Sequence, residues 1–181
     1  MYKISMVSLG CPKNQVDAEM MLFTLREAGL EIVSEEAQAD AIIINTCGFI
    51  ESAQQESIDT ILEMADYKEK HCKLLVVCGC LAQRFYKDIM DELPEIDVIV
   101  GTTAFDEIAV AIKDGLEGKK ASYIYDIDKD VPEDLPRVRT TPQYTAYLKI
   151  AEGCDNKCTY CAIPYIRGKY RSRSEEAILS E

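Results

Sequence analysis

The sequence predicts an α/β fold with a doubly wound, mostly parallel sheet, because short apolar runs alternate with helical periods over roughly residues 1–116. The apolar runs are nearly continuous, which is typical of parallel strands that are buried on both faces. The chain has 181 residues, of which 48% are hydrophobic. This length and composition suffice for one full domain with a packed core and a smaller second part.

Four apolar runs are the predicted strands of this sheet: residues 3–8, 41–45, 73–77 and 97–100. Four one-sided apolar stripes predict the helices between them: Ala18, Met21, Leu22 and Leu25; Ile58, Ile61, Leu62 and Ala65; Leu81, Phe85 and Ile89; Phe105, Ile108, Ala109 and Ile112. We expect Asn14 to cap the first helix, with Asp17 in its first turn and Gly29 at its end.

The composition changes after residue 116. Residues 117–143 are acidic and carry three prolines, which predicts a linker, apart from a short strand-like run at 122–125. Residues 145–150 are another predicted strand, which leads directly into a cysteine-rich loop, and Ser172 or Ser174 with Glu175 begins a helix. We therefore expect residues 144–181 to be the start of a second domain that the end of the chain cuts short.

The net charge of -12 argues against nucleic-acid binding, since such surfaces are normally basic, and we expect no direct nucleic-acid contact by this part of the molecule. One cationic run, Arg167 to Arg173, is of a kind that usually lies on solvated surface. No signal peptide precedes Met1, and no apolar run approaches the roughly 20 residues of a membrane span. We expect a cytoplasmic protein without membrane contact, in which eight cysteines indicate metal or redox chemistry.

Three of these cysteines form a CxxxCxxC loop at Cys154, Cys158 and Cys161. Three thiolates this close in sequence can hold three irons of a [4Fe–4S] cluster and leave the fourth iron open for chemistry. Zinc is the alternative, but structural zinc sites close with four ligands, and no histidine lies near this loop. The segment CDNKCTYC resembles the signature loop of radical S-adenosylmethionine enzymes. That resemblance implies S-adenosylmethionine at the open iron and contact of Tyr160 with its adenine; alternatively, Tyr160 simply packs against the loop.

A second set of three cysteines, Cys11, Cys47 and Cys80, is dispersed in the sequence, but each member follows a predicted strand and precedes a helix. In a parallel sheet such positions share one edge, where helix N-termini favour anionic groups. The three thiolates can hold a second cluster with one unclaimed iron; alternatively, they are small buried apolar side chains. Cys72 precedes the third strand by position, about 20 Å from Cys80 at about 3.3 Å per residue, so neither it nor the adjacent His71 is an expected ligand.

Several segments together resemble the methylthiotransferases: SLGCPKN, NTCGF, GCLAQR and YLKIAEGCDNKCTYCAIPYIRGKYRSR. The resemblance runs from about Val7 to Arg173 and does not require a cysteine at Cys78. The turn GCPKN resembles the branch that modifies an aspartate of protein twelve of the small ribosomal subunit, whereas the transfer-RNA branch more often reads GCQMN. The family implies two [4Fe–4S] clusters: an auxiliary cluster on Cys11, Cys47 and Cys80, and a radical-generating cluster on Cys154, Cys158 and Cys161.

The resemblance implies that a carbon–hydrogen bond at the β-carbon of an aspartate is replaced by a carbon–sulfur bond. Acidic and basic side chains alone are poorly suited to this reaction, so the clusters and S-adenosylmethionine are needed. It also implies an electron donor and a second S-adenosylmethionine as the methyl source, and the sequence identifies no catalytic side chain beyond the clusters. Two other functions stay open: a transfer-RNA methylthiotransferase, and an iron–sulfur carrier or electron-transfer protein. Such carriers normally complete four cysteine ligands per cluster. The remaining barrel strands and recognition domain of the family are not expected here, which predicts a fragment that is inactive alone.

Overall fold

The computed structural model describes residues 1–181. Its strands and α-helices follow one another in this order: β1 (Lys3–Ser8), α1 (Pro12–Glu27), β2 (Glu31–Ile32), β3 (Ala41–Thr46), α2 (Glu51–Ala65), β4 (Leu74–Gly79), α3 (Cys80–Glu92), β5 (Val98–Val100), α4 (Ile108–Leu116), β6 (Ala121–Tyr123), β7 (Ala151–Glu152), α5 (Ile163–Arg167), β8 (Arg171–Ser172) and α6 (Glu175–Ser180). Short 3-10 helices lie at Glu36–Gln38, Asp66–Glu69 and Phe105–Glu107. None of the helices combines the length and apolar character needed to cross a membrane.

The first six strands form one parallel sheet in the order β2-β1-β3-β4-β5-β6. The α/β class and the parallel sheet are therefore confirmed. The chain leaves β1 towards β2 on one side and returns to β3 on the other, so the winding direction reverses between β1 and β3. In open α/β sheets, ligands bind beyond the carboxyl ends of the strands at such a reversal.

Two apolar layers cover the sheet. The side chain of Ile43 in β3 packs in the layer that contains α1 and α4, whereas Ile42 and Ile44 pack in the layer that contains α2 and α3. All three isoleucines are fully buried. Because both faces of β3 are covered, its sequence is a continuous apolar run and not an alternating one.

The prediction that Asn14 caps the first helix is wrong. Pro12 is the first residue of α1 and Cys11 is its N-cap, without a side-chain hydrogen bond. The fixed φ of proline suits a first helical position. Asn14 instead lies inside the helix and is fully buried, because neighbouring turns use its side chain. Gly29, at a φ of +80°, follows the end of α1 as expected.

The sheet extends beyond residue 116, where the sequence pattern placed the start of a linker. Strand β6 pairs in parallel with β5 and so belongs to the sheet. Further along, Val131 and Leu135 pack against the apolar layer of α1 and α4. The buried carboxylate of Glu19 in α1 accepts hydrogen bonds from the Thr140 amide at 2.7 Å and from Arg137 Nη1 at 2.7 Å. This part of the chain is therefore fixed along α1.

The prediction of a strand at residues 145–150 is also wrong. That segment has no strand pairing, and the strand β7 begins at Ala151, where it pairs antiparallel with β8. Residues 145–150 have a β-rich composition, but a strand requires a neighbour, and Lys149 turns its side chain inwards to Asp17 at 2.5 Å. The helix expected after Ser172 or Ser174 is α6, and Ser174 caps it by accepting a hydrogen bond from the Ala177 amide at 3.3 Å.

Candidate functional site

Three adjacent strands carry Cys11, Cys47 and Cys80 to the carboxyl edge of the sheet. Cys11 is the N-cap of α1, Cys47 follows β3 directly, and Cys80 follows β4 as the first residue of α3. Strands β1, β3 and β4 are neighbours with parallel pairing along their lengths. The three cysteines are thus at equivalent positions, and two of them flank the reversal between β1 and β3.

Two glycines bring the cysteine turns into contact. Gly10 has a φ of +90°, and a Cβ atom there would lie 2.9 Å from Cys47 Cβ and 3.2 Å from Cys47 Sγ. A Cβ atom on Gly48 would lie 2.8 Å from Leu81 Cα. The distances of 2.9 and 2.8 Å are shorter than real Cβ contacts, so a side chain at either glycine would force a neighbouring turn to move. The turn before Cys11 therefore rests on Cys47, and the turn after Cys47 rests on the start of α3.

Asn14 ties the same three turns together. Its Nδ2 atom donates to Leu9 O at 3.1 Å, two residues before Cys11, and to Thr46 O at 2.9 Å, directly before Cys47. Its Oδ1 atom lies 3.4 Å from Cys80 Sγ and accepts a hydrogen bond from that thiol. A buried amide without hydrogen-bond partners would destabilise the folded state. These contacts therefore hold the Asn14 side chain and the three turns in place.

The thiols of this set differ in exposure. Cys11 is exposed, whereas Cys47 and Cys80 are buried. Burial raises the pKa of the Cys80 thiol, and the adjacent Arg167 opposes this only in part. The edge is therefore open to solvent on the side of Cys11 and closed on the side of Cys80.

The donor set is compatible with an iron–sulfur cluster. No group of three or more histidine, cysteine, aspartate or glutamate side chains is close enough together to hold one metal ion. A four-iron cluster takes each thiolate on a different iron, so its ligands stand further apart than those of one zinc ion. Three thiols on three touching turns, without a carboxylate or imidazole among them, match the soft ligands that iron–sulfur clusters use.

Arg167 reaches this set from the other end of the chain. Its Nη2 atom lies 3.3 Å from Cys80 Sγ and 2.7 Å from Asn14 Oδ1, and its Nη1 atom lies 2.6 Å from Asp17 Oδ2. The side chain is 3% exposed, so the interpretation of residues 167–173 as solvated surface is wrong for this residue. Burial alone would lower the pKa of Arg167, but Asp17 keeps it well above the usual value.

Arg167 belongs to a largely buried group of charges that we call the ion cluster, formed by Lys13, Asp17, Lys149, Glu152 and Arg167. Lys13 is its most exposed member, with 39% of its side chain accessible. Lys149 Nζ bridges Asp17 Oδ1 at 2.5 Å and Glu152 Oε2 at 3.3 Å, and Lys13 Nζ lies 2.9 Å from Glu152 Oε1. Burial raises the pKa of Glu152, but Arg167, Lys149 and Lys13 more than offset it and lower the pKa to about 2. The ion cluster holds residues 149–167 against α1.

The loop with Cys154, Cys158 and Cys161 is anchored at its base and open at its tip. The Cys154 amide donates to Gly168 O at 3.0 Å, and the β7–β8 pair closes the base. Cys158 is exposed, and the other two cysteines are half-buried. Tyr160 is 84% exposed and so does not pack against the loop; its contact with an adenine stays a prediction.

Side chains beside each cysteine set join the two segments that carry the sets. Lys13, two residues after Cys11, donates to Ala151 O at 2.9 Å and to the carboxylate of Glu152, two residues before Cys154. On the other side, Arg167 of the loop segment touches Cys80. The segments that carry the two sets therefore meet at the carboxyl edge of the sheet, through Lys13 and Arg167.

The remaining cysteines lie elsewhere. Cys72 precedes β4 at the opposite edge of the sheet, where its Sγ atom donates to Leu74 O at 3.3 Å and burial raises its pKa. The adjacent His71 is exposed. Cys78 lies within β4 and is buried against α1, with its Sγ atom 4.0 Å from Met21 Sδ. Cys72 and His71 therefore lie at the other edge of the sheet, whereas Cys78 lies two residues before Cys80.

Sequence reasoning missed Asn14, Asp17 and Arg167 as parts of the site. A signal for the first two exists, because both fall in phase with the apolar stripe of Ala18 and Met21 on the same helical face. Polar groups in a buried stripe need partners. Arg167 has no such signal, since its burial depends on how the loop segment docks on α1.

Comparisons with known proteins give one family and many relatives. The profile of "Uncharacterized protein family UPF0004" matches residues 3–101, which include Cys11, Cys47 and Cys80. Proteins named "Ribosomal protein uS12 methylthiotransferase RimO" are 54% identical in Desulforamulus reducens, 53% in Acetivibrio thermocellus and 51% in Caldicellulosiruptor saccharolyticus. These alignments cover 99 to 100% of this chain and 41 to 42% of the relatives. The chain thus spans less than half the length of the curated relatives it matches.

Proposed function

This chain belongs to the uncharacterized protein family UPF0004, and from the names of its relatives and its two cysteine sets we propose that it forms part of a radical S-adenosylmethionine methylthiotransferase that acts on ribosomal protein uS12. The names of relatives that are more than half identical over the whole chain support the substrate. One structural observation carries the proposal. The segments that carry the two sets of three cysteines meet at the carboxyl edge of the sheet, and Arg167 of the loop segment touches Cys80 of the other set.

In this proposal, each cysteine set holds one [4Fe–4S] cluster with an open iron. When bound, the clusters and S-adenosylmethionine supply the radical, the sulfur and the methyl group that turn a carbon–hydrogen bond into a methylthio group. The auxiliary ligands are Cys11, Cys47 and Cys80; the ligands of the radical-generating cluster are Cys154, Cys158 and Cys161, with Tyr160 against the adenine.

The protein's own residues orient and enclose these groups. Gly10, Gly48 and Asn14 hold the three turns so that their thiols serve one site. The ion cluster holds the loop segment beside them, so that one substrate aspartate can face both sets. Cys11 and Cys158 are exposed, which leaves solvent access to both sets from outside.

An iron–sulfur carrier explains the same motifs less well, because each set offers three thiols and a carrier normally completes four. A methylthiotransferase also needs an external electron donor, and we place the protein in the cytoplasm, where thiols stay reduced. The alternative substrate, transfer RNA, is disfavoured by the turn Cys11-Pro12-Lys13-Asn14 and by the net charge of -12.

Deletion of the gene that encodes this chain tests the proposal. Mass spectrometry of ribosomal proteins should then show uS12 without the methylthio group that the parent strain carries on one aspartate, while methylthio nucleosides of transfer RNA stay unchanged. Complementation by the Cys72→Ala gene should restore the modification, and complementation by the Cys11→Ala gene should not. Loss of the transfer-RNA modification, or an unchanged uS12, would contradict the proposal.

A further inference from the structure

Arg167 is buried between the two cysteine sets and is fixed by its contacts. We propose that Arg167 is a positioning residue of the auxiliary site, which donates an N–H···S hydrogen bond to Cys80 and raises the reduction potential of the cluster bound there. The inference rests on the proposed function, because it requires a cluster on Cys11, Cys47 and Cys80. It concerns the potential of that cluster and not the identity of its ligands.

The geometry leaves Arg167 little freedom. Nη1 is held by Asp17 Oδ2 at 2.6 Å and by Glu152 Oε2 at 3.2 Å, and Nη2 is held by Asn14 Oδ1 at 2.7 Å. With both nitrogens held, the planar guanidinium directs Nη2 at Cys80 Sγ, 3.3 Å away. A lysine has one nitrogen and cannot serve Asp17, Asn14 and Cys80 from the same position.

The environment makes this contact electrostatically strong. Arg167 is 3% exposed and Cys80 is buried, so solvent screens their interaction weakly. Within the ion cluster the buried cations Arg167 and Lys149 are balanced by Asp17 and Glu152, and Arg167 is the cation that contacts the thiol. Reduction adds negative charge to a cluster, and hydrogen bonds to its sulfurs together with nearby positive charge favour the reduced form.

Arg167 belongs to the segment that carries the CxxxCxxC loop. It is the last residue of α5, which is fixed over the sheet edge by the hydrogen bond from Thr102 Oγ1 to Ile166 O at 2.9 Å. The contact with Cys80 therefore exists only while the segment that carries the CxxxCxxC loop is docked. The reduction potential of the auxiliary cluster should consequently depend on docking of the other cysteine set.

Lys149 provides a matched control. Its Nζ atom binds the same two carboxylates, Asp17 and Glu152, and its side chain is 7% exposed. It makes no contact with a cysteine. Arg167→Met and Lys149→Met therefore each remove one buried cation from the ion cluster, but only Arg167→Met removes the hydrogen bond to Cys80.

The experiment uses the full chain with Cys154, Cys158 and Cys161 replaced by alanine, so that after anaerobic reconstitution only the auxiliary cluster is present. Iron and sulfide analysis verifies loading, and a redox titration followed by electron paramagnetic resonance gives the midpoint potential. We expect Arg167→Met to lower the one-electron reduction equilibrium constant about tenfold, which is about 59 mV. Lys149→Met should change it by less than a third as much on the millivolt scale, and Arg167→Lys should be intermediate.

Each outcome has a distinct meaning. Equal shifts in Arg167→Met and Lys149→Met would overturn the role of Arg167, because they would report lost charge alone. If Arg167→Met does not fold, Arg167→Lys decides, and a potential equal to that of the parent overturns the inference. A parent protein that takes up no iron on this set contradicts the proposed function itself. Loaded clusters with unchanged potentials contradict only the inference about Arg167.

Discussion

The two edges of the parallel sheet differ in how deeply their ion pairs are buried and in what their cysteines contact. At the amino edge, Asp40 Oδ1 and Lys73 Nζ pair at 2.8 Å with the lysine 60% exposed, and the thiol of Cys72 is satisfied by a backbone carbonyl. At the carboxyl edge, Asp17 and Arg167 pair at 2.6 Å with both side chains nearly buried, and the guanidinium touches a cysteine. A surface pair stabilises little, whereas breaking a buried pair is strongly destabilising. Stability and the candidate chemistry are thus coupled at one edge only.

The largest difference between the edges should appear on removal of a carboxylate. Asp17→Asn removes the nearer of the two carboxylates that Arg167 and Lys149 share and leaves one buried cation in excess, and we expect a loss of about 3–5 kcal/mol in the free energy of unfolding. Urea denaturation measures this loss. Asp40→Asn at the amino edge is the control, with an expected loss below about 1 kcal/mol. Similar small losses in both variants would show that the ion cluster is effectively solvated.

The second effect concerns the amide at the centre of the cysteine turns. Asn14→Ala leaves the carbonyls of Leu9 and Thr46 without this donor, and we expect a loss of about 2–3 kcal/mol in the free energy of unfolding. The turns should also become less fixed, which should lower the iron retained by the auxiliary set in the presence of a chelator. Gln15→Ala, which removes a surface hydrogen bond to Thr140, should change stability by less than about 0.5 kcal/mol. Iron retention equal to that of the parent would argue against a positioning role of Asn14.

A smaller effect is expected where residues 137–140 lie along α1. Glu19→Gln removes the charge that binds Arg137 and weakens the bond from the Thr140 amide. Because Arg137 keeps its second carboxylate, Glu181, at 2.7 Å, the expected cost is only about 1–2 kcal/mol. Hydrogen exchange should quicken at Val138 and Thr140 while the amides of the central strands β3 and β4 stay protected. Uniformly faster exchange would indicate that this segment supports the whole sheet.

The smallest effect is the pH dependence of the amino edge. The hydrogen bonds from Lys73 and from the Lys3 amide lower the pKa of Asp40 below its ordinary value of 3.8. A carboxyl group with a lowered folded-state pKa stabilises the protein above that ordinary value, and the contribution is lost as the pH falls through the lowered pKa. The stability difference between the parent and Asp40→Asn, below about 1 kcal/mol at neutral pH, should therefore shrink under acid conditions. A difference that is constant from neutral pH to pH 3 would contradict this assignment.

Much of the sheet could be predicted from the sequence, because strands that are buried on both faces have continuous apolar runs. The predicted run at residues 3–8 has the bounds of β1, and β3, β4 and β5 differ from their predicted ranges by two residues or fewer at each end. Strand β2 has two residues, too few for a pattern. Residues 145–150 have the composition of a strand but lack a neighbour.

The candidate site was predictable in its cysteines and unpredictable in its supporting groups. The positions of Cys11, Cys47 and Cys80 follow from strand ends, and the resemblance to the methylthiotransferases is confirmed by the names and identities of the relatives. Arg167 gains its position only when the loop segment docks on α1, more than a hundred residues away in sequence. Such contacts depend on tertiary packing and leave no local pattern.

Iron analysis with Mössbauer spectroscopy after anaerobic reconstitution decides whether each of the two sets of three cysteines holds a cluster. We expect two [4Fe–4S] clusters in the parent protein. Cys47→Ala should lose one and Cys158→Ala the other, whereas Cys72→Ala at the amino edge should keep both. Two separate clusters are ruled out if Cys72→Ala loses as much iron as Cys47→Ala, or if Cys47→Ala and Cys158→Ala lose the same cluster.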